Sequence, residues 1–219
     1  LSSVSKNLGY VHDNSTGQSY PRTKFIKSVK KINRILIEEK NCELFGVSKS
    51  GNARSTAPIL FPRTVGDKHK ILYNPDGFIG KEFYRISPAN SKNDLSIVLQ
   101  LNSSIGILQR EVFGITGLGD GGLKFNLKSV EEFAIIDSSS IFHKSNITFL
   151  KREQNEIYDE LGFDKALPIR NQHPKPLADR KAIDDIIFDE LGLTQEERNE
   201  VYWSVAELVQ QRLNKAASR

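Results

Sequence analysis

Methionine is absent from the 219 residues, and cysteine occurs only once, as Cys42. A lone thiol excludes an internal disulfide scaffold and a thiolate metal cluster, and it fits a reducing compartment. No apolar run exceeds a few residues, far short of the roughly 20 that a membrane-crossing helix needs. Leu1-Ser-Ser-Val-Ser also lacks the basic start and apolar stretch of a secretory signal. None of the eight prolines is adjacent to another. With 38% hydrophobic and 26% charged residues, the composition excludes a disordered tail and a collagen-like repeat. What remains is an ordinary globular chain of one or two domains, each large enough to bury a core. Starting at Leu1 without any methionine, it reads as a piece of a longer, cytoplasmic polypeptide.

The net charge of +4 conceals an asymmetry. Residues 1–150 carry 20 basic and 13 acidic residues, net +7, whereas residues 151–219 carry 11 and 14, net −3. Between Arg22 and Lys92, 15 basic residues face 6 acidic ones. Such a surplus suits an anionic partner such as nucleic acid, and equally a solvated basic surface.

The first twenty residues are polar and read as a loop. From Phe25 to Ile37, Phe25, Val29, Ile32 and Leu36 recur at helical spacing among lysines, which predicts a helix, although Ile35 to Ile37 suits the start of a strand. Residues 42–100 alternate short apolar runs with turn formers: Leu44 to Val47, Ile59 to Phe61, Ile71 to Tyr73, Phe83 to Ile86 and Ile97 to Leu99 read as strands. Asn102-Ser-Ser then caps a helix through Ile105, Leu108 and Val112, which glycines from Gly114 onward stop. Leu123 to Phe125 and Phe133 to Ile136 read as further strands.

The last seventy residues are helical. A helix near Arg152 to Leu161 stops at Gly162, and Pro168, Pro174 and Pro176 force an extended connector. Asp179 is expected to cap a helix striped by Ile183, Ile186, Ile187 and Leu191, ending at Gly192. Thr194 and Glu197 form a capping box for a final helix with Val201, Val205, Leu208, Val209 and Arg212 along one face.

Gly117-Leu-Gly-Asp-Gly-Gly122 matches G-x-G-x-x-G, yet a dinucleotide loop leaves a strand and enters a helix, and here the expected order is reversed. The plainer reading is a tight connection where bare backbone approaches a ligand. The four histidines are scattered and read as surface or loop residues, with no metal-ligand spacing. Lys49 to Thr56 is a polar loop between strand-like runs, and its Lys49, Ser50, Asn52 and Arg54 suit phosphates and base edges. Arg63, Lys68, His69 and Lys70 follow it. The glycine turn of Gly119, Gly121 and Gly122 delivers Lys124 on a second strand, so both regions are expected to line one DNA-facing surface.

Two stretches carry a resemblance. LQLNSSIGILQREVFGITGLGDGGLKFNLKSVEEFAII (Leu99 to Ile136) resembles a segment of the target-recognition domains of N6-adenine DNA methyltransferases of restriction-modification systems. Its marks are a Leu-Asn-Ser helix opening, a glycine turn and Leu-Lys. PIRNQHPKPLADRKAIDDIIFDELGLTQEERNEVYWSVAELVQQRLNKAASR (Pro168 to Arg219) is similar to the C-terminal tail of those enzymes, with its Pro-x-Pro-Leu-x-Asp-Arg connector, Leu-Gly-Leu-Thr and closing Glu-Leu-Val-x-x-Arg-Leu helix. Together they cover 38 and 52 residues in the matching order.

The family's catalytic Asn/Asp/Ser-Pro-Pro-aromatic motif, which holds the flipped adenine, needs adjacent prolines and is missing. So is a glycine loop placed for S-adenosylmethionine. The resemblance therefore implies an α+β fold, with a mixed strand and loop target-recognition domain over residues 1–150 and a small C-terminal helical tail over 151–219. It implies no catalysis and no cofactor in this chain, S-adenosylmethionine in the parent enzyme, and double-stranded DNA and the parent's catalytic domain as partners. The rival expectation is a protein-protein interaction module whose C-terminal helices dock a partner subunit; third comes an enzyme using the glycine loop as a phosphate cradle.

Overall fold

Short β-forming runs broken by proline and glycine, followed by long capped helices, produce an α+β protein with small antiparallel sheets and a helical C-terminus. The computed structural model describes residues 10–13, 18–21, 32–34, 57–75, 83–88, 93–116, 121–136 and 147–218. Among them no helix is long and apolar enough to cross a membrane. The chain divides into two units, one of residues 1–63, 71–98 and 126–140, the other of 64–70, 99–125 and 141–219. Residues 64–70 and 99–125, expected in an N-terminal domain ending near 150, thus group with the C-terminal helices.

In the first unit, β1 (Tyr10–Asp13) and β2 (Gln18–Pro21) form an antiparallel hairpin pairing Tyr10 with Pro21 and Asp13 with Gln18. This corrects the expected loop: the β-forming Tyr10, Val11 and Tyr20 are diluted by polar neighbours, which masks the pairing. β3 (Ile32–Arg34) falls inside the expected helix and pairs with β9 (Ala134–Ile136), a partner 100 residues away that local periodicity cannot reveal. The remainder of that expected helix, and the strand expected at Leu44 to Val47, lie outside the described residues.

Around β4 (Ile59–Pro62) a three-stranded sheet forms, with β6 (Leu72–Tyr73) on one side and β7 (Phe83–Ile86) on the other. As the central strand, β4 buries Ile59, Leu60 and Phe61 alike. Phe61 meets Phe133 edge-on at 5.4 Å and Tyr84 at 6.5 Å. Asn74 ties the sheet's lead-in, donating from Nδ2 to the Ala57 carbonyl at 2.8 Å and from its backbone N–H to that of Pro58 at 2.7 Å. A short helix that the sequence reading missed, α3 (Leu127–Glu131), starts at Asn126, whose side chain accepts from the Ser129 N–H.

Ile97 to Leu99, expected as a strand, lie instead in α1 (Asp94–Asn102). From Ser96 to Asn102 every side chain of this helix is buried, so no polar face marks the helical period, and the β-branched Ile97-Val98 pair points locally to a strand.

The second unit is organised on α2 (Ser104–Phe113), α6 (Ala178–Leu191) and α7 (Gln195–Ala217). Val201, Val205 and Val209, at four-residue spacing on α7, are buried with Ile107, Tyr158, Leu161 and Phe188, each such side chain contributing about 1.5–3 kcal/mol. Ser103 caps α2 by accepting from the Gly106 N–H, and Gly106 itself brings α2 close to α1: an added Cβ would lie 2.3 Å from the Leu101 carbonyl oxygen.

The helix expected near Arg152 to Leu161 is confined to α5 (Ile157–Leu161), whose first N–H, that of Ile157, donates to the Asp67 carbonyl, and a separate α4 (Ile147–Lys151) precedes it. Gly162 and Gly192 end α5 and α6 in left-handed conformation, as the sequence indicates. Asp179 is not the cap of α6; Leu177 is, and Asp179 sits in the first turn, where its carboxylate favours the helix N-terminus. The proline connector is broken by one 3-10 turn, Ile169–Asn171, whose Arg170 chelates both Glu200 and Glu207 of α7.

The capping box of α7 is complete: Thr194 Oγ1 accepts from the Glu197 N–H at 3.3 Å, and the Thr194 N–H donates to Glu197 Oε2 at 2.8 Å. Thr194→Ala should cost about 1 kcal/mol in urea unfolding with an unchanged denaturant slope. A loss below a few tenths would show that α7 is held by packing alone.

Candidate nucleic-acid interface

Of the residues expected to meet DNA, Lys49, Ser50, Asn52, Arg54 and Gly119 lie outside the described residues. The convergence expected between residues 49–56 and the glycine turn is thus a matter outside them too. Arg63, in the first unit, is half-buried with its guanidinium stacked 5.1 Å above the Tyr84 ring. The remaining five, Lys68, Lys70, Gly121, Gly122 and Lys124, belong to the second unit.

Backbone pairing joins the two segments that lead to them. β5 (Thr64–Val65) pairs with β8 (Leu123–Lys124), Thr64 opposite Lys124, while a further bridge sets Ile115 against Lys124. Directly opposed residues share a sheet face, and Thr64, Lys124 and Ile115 are all exposed whereas Val65 and Leu123 are buried. A narrow exposed rib results, with Lys68 continuing from β5. Among the described residues Lys68 pairs with the exposed Glu153 at 3.7 Å, a contact of little energetic weight. Lys70 is spent internally, its Nζ donating to the Arg152 carbonyl at 3.0 Å.

Beneath the rib lies a charged cluster that the sequence reading missed. Arg212, 5% exposed, donates from Nε and Nη2 to Glu111 at 3.0 and 2.9 Å, from Nη2 to the Gly66 carbonyl at 3.0 Å, and from Nη1 to the Gly121 carbonyl. Gly121 has a φ of 75°, and a Cβ there would press on Leu213 at 3.1 Å and Ala216 at 3.2 Å, so the position requires glycine. Gly122 is buried beside it.

His69, expected at the surface, is 2% exposed instead. Its Nδ1 accepts from Arg110 Nε at 3.2 Å, which leaves the proton on Nε2, 3.0 Å from Glu111 Oε1 but off the line of a well-formed hydrogen bond. Arg110 is fully buried and also donates to the Leu101 carbonyl. Arg212 did carry a sequence signal, a charge in register with the apolar stripe of α7; its partners, 91 to 146 residues away, did not.

Burial pushes the His69 pKa down to about 4, with Arg110 and Arg212 adding to the fall against the pull of Glu111. Burial alone would raise the Glu111 carboxyl, but the contacts with His69 and Arg212 outweigh it and hold the group below the usual carboxylate range. Burial, then the Arg180 charge, lowers Arg110 to about 9, which still leaves it charged at neutral pH. Neutral imidazole, one carboxylate and two guanidiniums thus sit beneath two turns. They can hold backbone carbonyls in place; at this depth the His69–Glu111 pair is out of a substrate's reach as an acid-base dyad.

A second network fixes the other end of α2. Asp184, fully buried, accepts from the Ser104 N–H and hydroxyl, both at 2.7 Å. Arg180 donates to Glu160 at 2.7 Å and to the Asn102 carbonyl at 3.1 Å, and Arg152 chelates Glu160 and Asp179. The glycine-rich segment follows α2 and leads into β8, so the strand-to-helix order of a dinucleotide loop is not present. No family model, curated protein or solved structure matches the chain.

Acid should loosen the cluster. Unfolded, His69 takes its proton near 6.5; folded, it does so only near 4. The unfolded state therefore binds more protons between those values, and the His69 contribution is complete above pH 6.5 and lost as pH falls toward 4. Urea titrations at about pH 7 and about pH 4.5 should show the wild type losing up to about 3 kcal/mol more than His69→Gln. Equal losses in the two proteins would mean that His69 titrates freely in the fold.

Proposed function

We propose that this chain is the DNA-reading part of a cytoplasmic N6-adenine DNA methyltransferase of a restriction-modification system, together with its C-terminal helices. Double-stranded DNA and the catalytic domain of the same parent chain are its partners, and S-adenosylmethionine binds elsewhere in that parent. The observation that carries the reading is the union of the two stretches bearing the resemblance. Residues 99–125 of the first stretch and residues 168–219 form one framework, joined by Ser104 to Asp184 at one end of α2 and by Glu111 to Arg212 at the other, while residues 126–136 belong to the other unit. Segments that resemble the same enzyme in the same order, and that share a core, behave as one inherited piece.

On this reading basic residues between Arg22 and Lys92 supply phosphate contacts, Lys49 to Thr56 reaches base edges, and the exposed Lys124 of the rib adds a further phosphate contact. A second reading has one observation in its favour. Val112 and Ile115 are 57% and 46% exposed, apolar groups that an interaction module would cover with a partner protein.

Salt separates the two. Duplex binding should weaken steeply between about 50 and 200 mM salt, as release of counterions requires. No binding to any duplex at low salt would favour the interaction module. Arg54→Ala should cost about 1–3 kcal/mol on the preferred site and much less on random duplex, whereas Lys124→Ala should weaken both alike and shallow the salt dependence. Unchanged affinity in both variants removes these residues from the interface. Calorimetric titration with S-adenosylmethionine should give no heat of specific binding; micromolar affinity would contradict the division between reading and catalysis.

A further inference from the structure

Charge is segregated along α7. Glu196, Glu197, Glu200 and Glu207 lie in its earlier part, whereas the stretch from Leu208 to Arg219 holds no acidic residue and three basic ones, Arg212, Lys215 and Arg219. The helix dipole accounts for that order, since cations are favoured at a C-terminus, but not for where the basic end is placed. Arg212 points inward, to the carbonyls of Gly66 and Gly121. The Gly121 turn rests on the same stretch of helix: a Cβ there would lie 3.1 Å from Leu213 and 3.2 Å from Ala216. In helical projection Leu213 and Ala216 fall about 100° and 40° to one side of Arg212, and Lys215 about 60° to the other. Lys215, in the last turn of α7, is exposed there. The Gly66 turn leads to Lys68 and the Gly121 turn to Lys124, so three exposed lysines, from three separate segments, are anchored around one buried guanidinium.

We propose that the last turn of α7 is part of the DNA-facing surface, where Lys215 contacts a backbone phosphate beside the one met by Lys124. This rests on the DNA-reading function proposed above, and it gives the C-terminal helices a share in binding besides holding the rib. Among the described residues neither Lys124 nor Lys215 is drawn into an ion pair, whereas Lys68, Lys165 and Lys181 meet Glu153, Glu156 and Asp185. An ammonium without a carboxylate partner gives up no such contact when it takes a phosphate. The contact also asks little of geometry: a compact charge on a flexible four-carbon stem follows the oxygen it meets, and no base-edge group is needed. A duplex, with one negative charge per roughly 1.7 Å of its axis, is the polyanion that meets cations from several segments at once.

The experiment measures binding of a random-sequence duplex at about 50 and 200 mM salt by wild type, Lys215→Ala, Lys215→Arg and Lys175→Ala, each shown to be folded by circular dichroism. Lys175 is equally exposed, but it stands on the proline connector that meets α7 at Trp203, whose indole N–H donates to the Gln172 carbonyl. Trp203 lies about 18 Å along the helix from Lys215. Loss of one phosphate contact lowers the slope of log affinity against log salt by about 0.9, so over this rise in salt the wild type should lose about three- to fourfold more affinity than Lys215→Ala. Lys215→Arg, which keeps the charge, and Lys175→Ala should both follow the wild type. An unchanged slope in Lys215→Ala overturns the inference. So does an equal fall in Lys175→Ala, which would reduce the effect to net charge, and so does a fall that Lys215→Arg shares, which would trace it to packing of the helix end. The two levels of the account are separable: a wild type that binds no duplex even at low salt defeats the DNA-reading function and the α7 contact with it, whereas a wild type that binds while Lys215→Ala matches it defeats the α7 contact alone.

Discussion

The fork of Arg212 is the constraint on which the second unit depends. Removing a guanidinium from water costs several kcal/mol, and only close pairing with full use of its N–H groups offsets that. Here Glu111 supplies the opposite charge, and the carbonyls of Gly66 and Gly121 take N–H groups that face away from it. Both glycines lie outside the β5 and β8 strands, so the pairing that stabilises the cation also fixes two turns. At the far end of α2, Asp184 meets Ser104 in the same manner, with the charge signs exchanged. The helix is thereby fastened at both ends by residues from the last forty of the chain.

How much of this was legible depends on sequence distance. Thr194, Glu197, Gly162 and Gly192 were readable because a cap's partner lies within three or four residues. Ile59 to Phe61 and Phe83 to Ile86 were readable because proline and glycine bracket them. Ile32 to Arg34 was not, since what makes it a strand is β9. Ile97 to Leu99 misled because a helix buried on all sides shows no period. His69 looked like one more basic loop residue between two lysines, and nothing local marks Glu111 or Arg110 as its neighbours. The candidate interface was half visible: composition singled out Lys68, Lys124 and the glycine turn, but not the residues that hold them.

Function follows from how the cations are distributed. Arg63 is drawn onto Tyr84 and Lys70 onto a carbonyl, while Lys68 and Lys124 remain exposed on the rib. Two exposed lysines give non-specific attraction at most; sequence reading requires base-edge groups such as those of Lys49 to Thr56. The proposed reader therefore joins a fixed element, the clamped rib, to a variable one, and only the second would change with the site recognised. Such a division agrees with a tail and glycine turn that carry the resemblance to N6-adenine methyltransferases beside a stretch that matches no motif.

The central claim is that this chain selects a particular DNA sequence. Selection from a pool of randomised duplexes, with the bound fraction sequenced after several rounds, tests it directly. The account predicts convergence on one short motif; a bound pool as random as the input would contradict it.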